Sequence, residues 1–403
     1  MIAAAASPLN RAYLDSNATA PLRANAREAA LAAMETTGNP SSVHAEGRAA
    51  RRIVEDARSE VARLAGVSSR CVTFVSGGTE AANAALNPLF GGGPNAPPLE
   101  RLIVSAGEHA CVLSGHRFPI TESAPLLPDG RIDLNWLEAA CRRPGRALVA
   151  LQGANNETGV IQPVAEAAAL VHAAGGLLFC DAVQLPGRMA CDIAALGADT
   201  LMLSAHKMGG LKGAGALVAA RARVSLGAPL VRGGGQERGA RAGTESVAAI
   251  AAFGAAARAC LAEAATEPAR LLGLRDRLTI AVRSVAGDAV VFAETTPRLP
   301  NTVCFGVPGV EAATLMIALD LAGIAVSSGS ACSSGKVAAS HVLAAMGAPP
   351  ELARGAIRLS LGWASGEADV ERFTMAFASV MARMGAARRG APTLTAEAAP
   401  AGQ

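Results

Sequence analysis

The strongest constraint on this chain is an alternation. Through the first two-thirds, short apolar runs that break into polar residues are interleaved with Ala-rich amphipathic stretches. The apolar runs are "CVTFVSGG" (71–78), "RLIVSAGEH" (101–109), "ALVALQGANNE" (147–157), "GLLFCDAVQ" (176–184) and "TLMLSAHK" (200–207). Helical stretches such as "GRAARRIVEDARSEVARLAG" (47–66) and "PVAEAAALVHAAGG" (163–176) flank or separate them. Strands buried on both faces must be apolar almost throughout, as these runs are. Strands alternating with helices predict an α/β fold around a mostly parallel sheet.

In such sheets the ligand binds beyond the carboxyl ends of the strands. The residues that end each run are thus expected to meet in space: Ser76 to Thr79, Glu108 and His109, Asn155 to Glu157, Asp181 and Gln184, and Ser204, His206 and Lys207. After the helical stretch 247–265 the pattern changes, and "TVCFGV" and "AIRLSLG" read as strands of a smaller α+β unit. The expected division is a large domain over 16–265 and a small one over 1–15 and 266–387. Residues 388–403 show no periodicity and are expected to form a disordered tail.

Composition narrows the function. With 403 residues, 51% hydrophobic and 17% charged, the chain can bury a large core, and a net charge of +3 gives no reason to expect nucleic acid. The arginines of "ARRIVEDAR" alternate with acids and read as a solvated helix face. Eight cysteines are scattered without CxxC pairs or zinc spacing, which points to no metal and to reduced, cytoplasmic thiols. "MIAAAASPLNR" lacks a signal-peptide pattern, and the apolar stretch 247–265 carries Arg258 and Glu263, so no membrane span is expected.

Chemistry gathers at the expected rim. A lysine ending a strand is ordinarily a solvated surface group, but Lys207 is followed by "MGGLKGAGAL", whose glycines let a ligand approach the backbone. Such a lysine can condense with an aldehyde cofactor, above all pyridoxal phosphate. That cofactor needs a carboxylate for its ring nitrogen, and Asp181 follows the apolar "LLFC". It also needs an anion cradle, and "SGGTEAANAAL" offers a helix N-terminus with Thr79, though an ordinary capped turn would read the same way. His109 is placed to stack on the ring, yet lone histidines are more often merely packed.

One cysteine stands apart. Cys332 lies in "SSGSACSSG" among Ser, Gly and Ala, whereas buried cysteines such as Cys180 and Cys304 have bulky neighbours. A flexible Ser/Gly context suits a thiol that must travel.

Taken with "YLDSNATAP", "GNPSSVHAEGRAAR", "NNETGVIQP", "DAVQLPG", "GGGQERGARAGTES", "SHVLAAMG" and "IRLSLG", these stretches run in order over roughly 13–362. In them the sequence resembles cysteine desulfurases of the NifS/IscS type, pyridoxal-phosphate transferases of fold type I. The resemblance implies that Lys207 bonds the cofactor, Asp181 pairs with its ring nitrogen, Gln184 contacts its hydroxyl and His109 stacks on it. Gly78, Thr79, Ser204 and His206 would hold the phosphate, with Thr244 from a second copy in a homodimer. Asn156 and Arg358 would bind the carboxylate of L-cysteine, and the Cys332 thiolate would take its sulfur, releasing L-alanine. The resulting persulfide would pass to an acceptor such as an iron–sulfur scaffold protein. His109 is one candidate for the base that ionises Cys332. The "SGSACSSG" segment resembles the long-loop group of these enzymes.

Departures from the family pattern are Ser16, Ala20, Arg188, Leu211, Ala242 and the missing Glu-Pro before Ser340. None removes a named functional group. The alternatives are a selenocysteine lyase or an aminotransferase on the same fold, or a non-catalytic scaffold.

Overall fold

The computed structural model describes residues 11–91, 97–222, 229–328 and 339–390, with side chains described to residue 385. A seven-stranded sheet has the spatial order Val72–Val75, Gly215–Ala219, Thr200–Ser204, Leu177–Asp181, Ala147–Gln152, Arg101–Ser105, Thr121–Ala124. Gly215–Ala219 runs antiparallel to both neighbours and the remaining pairs are parallel.

The apolar runs become central strands because helices cover both faces. Along Ala147–Gln152 the side chains alternate between two cores. Val149 and Leu151 meet Val54, Val61 and Phe253, while Leu148 and Ala150 meet Leu86, Phe90 and Phe179. The helix Val247–Ala262 packs against Ala24–Glu35 and Ala45–Leu64. Gly254 permits that approach, since a Cβ there would stand 2.5 Å from the Ala57 Cα.

The chain then turns by 82° into the helix Glu267–Val285, which enters a different core. There the order is Ser327–Ser328, Ile357–Ser360, Thr302–Gly306, Val290–Val291, all antiparallel. Leu271, Leu278, Phe305, Phe373 and Phe377 fill this core, and Ala12–Tyr13 joins the same unit by pairing with Ile324–Ala325. The final helix, Glu367–Gly390, continues through 388–390, the first residues of the stretch expected to be a disordered tail; 391–403 lie outside the described residues. No single described helix is long and apolar enough to cross a membrane.

One sequence expectation is corrected. Arg51 and Arg52 are exposed, but Arg58 on the same helix is buried. It bonds both carboxylate oxygens of the buried Glu237, at 2.7 and 2.8 Å, a partner 179 residues away. Arg58 falls on the buried face of the helix, four residues after Val54 and three before Val61, but nothing in the helix names so distant a partner.

Candidate active site

The carboxyl ends of the parallel strands open on a cleft of about 280 Å³. Gly78, Thr79, His109, Asn156, Asp181, Gln184, Ser204, His206, Lys207 and Arg358 all line it, as the rim argument expects for all but the last. Arg358 arrives from the second sheet, on Ile357–Ser360. Thr244 does not reach this cleft; it lies exposed in a separate one with Ser76 and Arg241. Cys332 lies outside the described residues.

Local structure explains each placement. Leu177–Asp181 is apolar until its last residue, so the carboxylate is delivered at the sheet edge while 5% exposed. Its Oδ1 accepts the Val183 N–H at 3.0 Å. Burial pushes its pKa up to about 6, opposed by that N–H and by the charge of Lys207. A single 3₁₀ turn, Ala205–Lys207, follows Ser204 and turns Lys207 back over the sheet. The Lys207 Nζ donates to the backbone carbonyls of Asn17 (2.7 Å) and Ala18 (3.0 Å).

Thr79 and Gly78 open the helix Gly78–Ala85, whose first amides face an anion favourably. His206 stands 3.1 Å from the Thr19 hydroxyl, and burial with the nearby Lys207 and Lys212 lowers its pKa to about 4. It is neutral at pH 7. The His109 Nδ1 accepts the Cys111 N–H at 3.2 Å, which leaves the proton of the neutral ring on Nε2. Burial, then the charges of Lys207 and His341, lower the His109 pKa.

Arg358 is fully buried. Its Nη2 donates to Asp15 Oδ1 at 2.7 Å and its Nη1 to the Asn156 carbonyl at 3.1 Å, while its buried Nε has no partner among the described residues. Gln184 donates to the Asn17 carbonyl at 3.1 Å and accepts from Arg188 at 2.8 Å. Arg188, one of the departures noted above, thus orients a cleft residue although its own pKa is lowered by burial to about 10.

Sequence reasoning gave no role to Asn17, Cys111, Gln152 or Arg188. Asn17 lies inside the quoted "YLDSNATAP", but it acts through its backbone carbonyl, to which side-chain identity is no guide. Cys111 is the one described cysteine that lines the cleft. Burial first, and the charge of Asp181 next, push its thiol far up and keep it protonated. The cleft thus offers an amine, a buried carboxylate, a helix N-terminus with hydroxyls, and an arginine.

Comparison with known proteins places these residues in context. The family model described as Aminotransferase class-V matches residues 12–373. A cysteine desulfurase of Cereibacter sphaeroides is 40% identical, covering 90% of this chain and 94% of that protein. An IscS-like cysteine desulfurase of Mycobacterium tuberculosis is 38% identical, covering 94% and 98%. Among solved structures, a NifS-like protein from Rickettsia africae superposes with a TM-score of 0.83 at 32% identity, covering 92% of this chain and 99% of that one.

Proposed function

The chain belongs to the aminotransferase class-V family, as a cysteine desulfurase, and from that membership we propose how its own residues perform the reaction. The observation that carries the reading is the convergence of Lys207, Asp181, Thr79 and Arg358 on one cleft. The family depends on pyridoxal phosphate, and the donor set fits it. Asp181 is a buried carboxylate whose raised pKa a cationic ring nitrogen would relieve. Gly78, Thr79, Ser204 and His206, with Thr244 of a second copy, would hold the phosphate; Gln184 would meet the ring hydroxyl and His109 the ring face.

When bound, pyridoxal phosphate supplies an electron-withdrawing ring that weakens the carbon–sulfur bond of L-cysteine. Lys207 would hold the cofactor's aldehyde carbon and supply an amine for proton transfer at the substrate. Arg358, steadied by Asp15, would meet the substrate carboxylate, with Asn156 beside it. His109 presents Nε2–H, so it donates a proton before it can take one from a thiol.

The nucleophile must be a thiolate. Cys111 is held protonated by its surroundings, which supports Cys332 in that role. An ordinary cysteine is only about 3% ionised at pH 7, so the attack draws on a small thiolate population. Alanine leaves, and the sulfur on Cys332 passes to an acceptor protein such as an iron–sulfur scaffold. The described cysteines form no disulfides, in keeping with a cytoplasmic enzyme. The 266 boundary divides the work in this reading: 16–265 binds the cofactor, while 1–15 and 266–387 carry Arg358 and Cys332.

The test is Cys332→Ala. Alanine formation from L-cysteine is expected to stop while the visible absorbance of bound cofactor persists. Continued conversion of L-cysteine to its 2-oxo acid would make the protein a transaminase instead.

A further inference from the structure

Glu108 precedes His109 and has no part in the reaction as described above. Its side chain is fully buried at the end of the rim. Its Oε1 accepts the Gln152 N–H, while Oε2 is buried with no hydrogen-bond partner among the described residues. Gln152 is the residue in register with Asp181 on the next strand. Two buried carboxyl groups thus flank the end of a single strand.

Such a pair does not ionise twice, because the second charge would be desolvated and repelled by the first. The surroundings decide which group keeps its proton. Asp181 has the cation of Lys207 and the Val183 N–H. Glu108 is driven toward the neutral form by burial and then by the charge of Asp181, against the pull of the Gln152 and His109 amides. Other titratable groups nearby do not reverse this. The His341 Nε2 meets the Glu108 backbone carbonyl, not its carboxyl, at 2.9 Å. His109 is held toward neutral, and Cys111 and Cys180 stay protonated.

We propose that Glu108 is a positioning residue: it remains a neutral acid beside Asp181 and so confines the pair's negative charge to Asp181, at the cleft. This rests on the reading of Asp181 as partner of the cofactor's ring nitrogen. Were Glu108 the charged member, Asp181 would hold the proton and offer that nitrogen no counter-charge.

The test is Glu108→Gln, which keeps the size and neutrality of the acid. In the full-length protein stripped of cofactor, infrared difference spectra at neutral pH are expected to lose the carbonyl stretch of a protonated carboxyl group. Loss of carboxylate stretches instead would overturn the proposal. In the holoenzyme, the pH midpoint of the cofactor's visible absorbance is expected to match wild type, and a displaced midpoint would overturn it. Isotopically labelled glutamate in the wild-type chain gives the infrared reading if E108Q does not fold. Failure of persulfide formation on Cys332 is a separate outcome: it would refute the desulfurase mechanism and leave the infrared result standing.

Discussion

Asp181 illustrates how a side chain's surroundings prepare it for one partner. The folded chain puts it in an apolar enclosure where its pKa rises to about 6, so its charge is lost as pH falls through that value. A ring nitrogen that must stay protonated binds the ionised form, so affinity for pyridoxal phosphate is expected to fall below about pH 6. Equilibrium titration of the stripped protein between about pH 5 and 8 measures this, spanning the shifted range. Asp181→Asn should abolish the dependence and weaken binding throughout, whereas a flat wild-type profile would contradict the assignment. Asp181 and Lys207 were legible in the sequence because each ends an apolar run, where a polar residue has to be accounted for. Arg188 was not. Its role runs through Gln184 four positions earlier, and it reads only as a departure from the family pattern until the buried contact is seen.

Among the elements, the turn Gln236–Gly239 carries the most unusual backbone. Glu237 (φ 47°) and Arg238 (φ 58°) both adopt the left-handed conformation, which non-glycine residues hold at a cost of about 1–3 kcal/mol each. Contacts made by both residues offset that cost. Glu237 is gripped by Arg58 and accepts the Phe74 N–H at 2.9 Å, while Arg238 donates to the Val72 carbonyl at 2.8 Å. Arg58 also lies 4.7 Å from the centre of the Phe74 ring. Removing one member of a buried ion pair typically costs about 3–5 kcal/mol, because the other is left uncompensated. Glu237→Ala is expected to lose about that much in urea unfolding, and Glu237→Gln less. A loss for Glu237→Ala below about 1 kcal/mol, the range of exposed pairs, would show that the clamp is not needed. The strands and long helices could be read from periodicity. This clamp could not, because Glu237 lies 179 residues from Arg58 and no local pattern pairs them.

On the scale of the whole molecule, the open question is what the segment after this turn serves. Thr244 is exposed and stands outside the cleft of its own chain, as a residue given to a second copy would. Mixing Lys207→Ala and Thr244→Ala chains tests the arrangement. If Thr244 completes the neighbour's site, a mixed dimer regains one intact site and activity reappears on mixing. If it serves its own chain, every site stays broken and mixing restores nothing. The mostly parallel sheet and the convergence of strand ends followed from the sequence because both are consequences of burial. Arg358 needed the resemblance, since it enters the cleft from a sheet whose docking no local pattern encodes.

The central claim is that this cleft and Cys332 act on one bound amino acid. Mass spectrometry of the full-length holoenzyme after exposure to L-cysteine tests it most directly. The account predicts an added sulfur atom on the peptide containing Cys332 and none on Cys111. Alanine released while Cys332 stays unmodified, or sulfur carried on Cys111 instead, would contradict it.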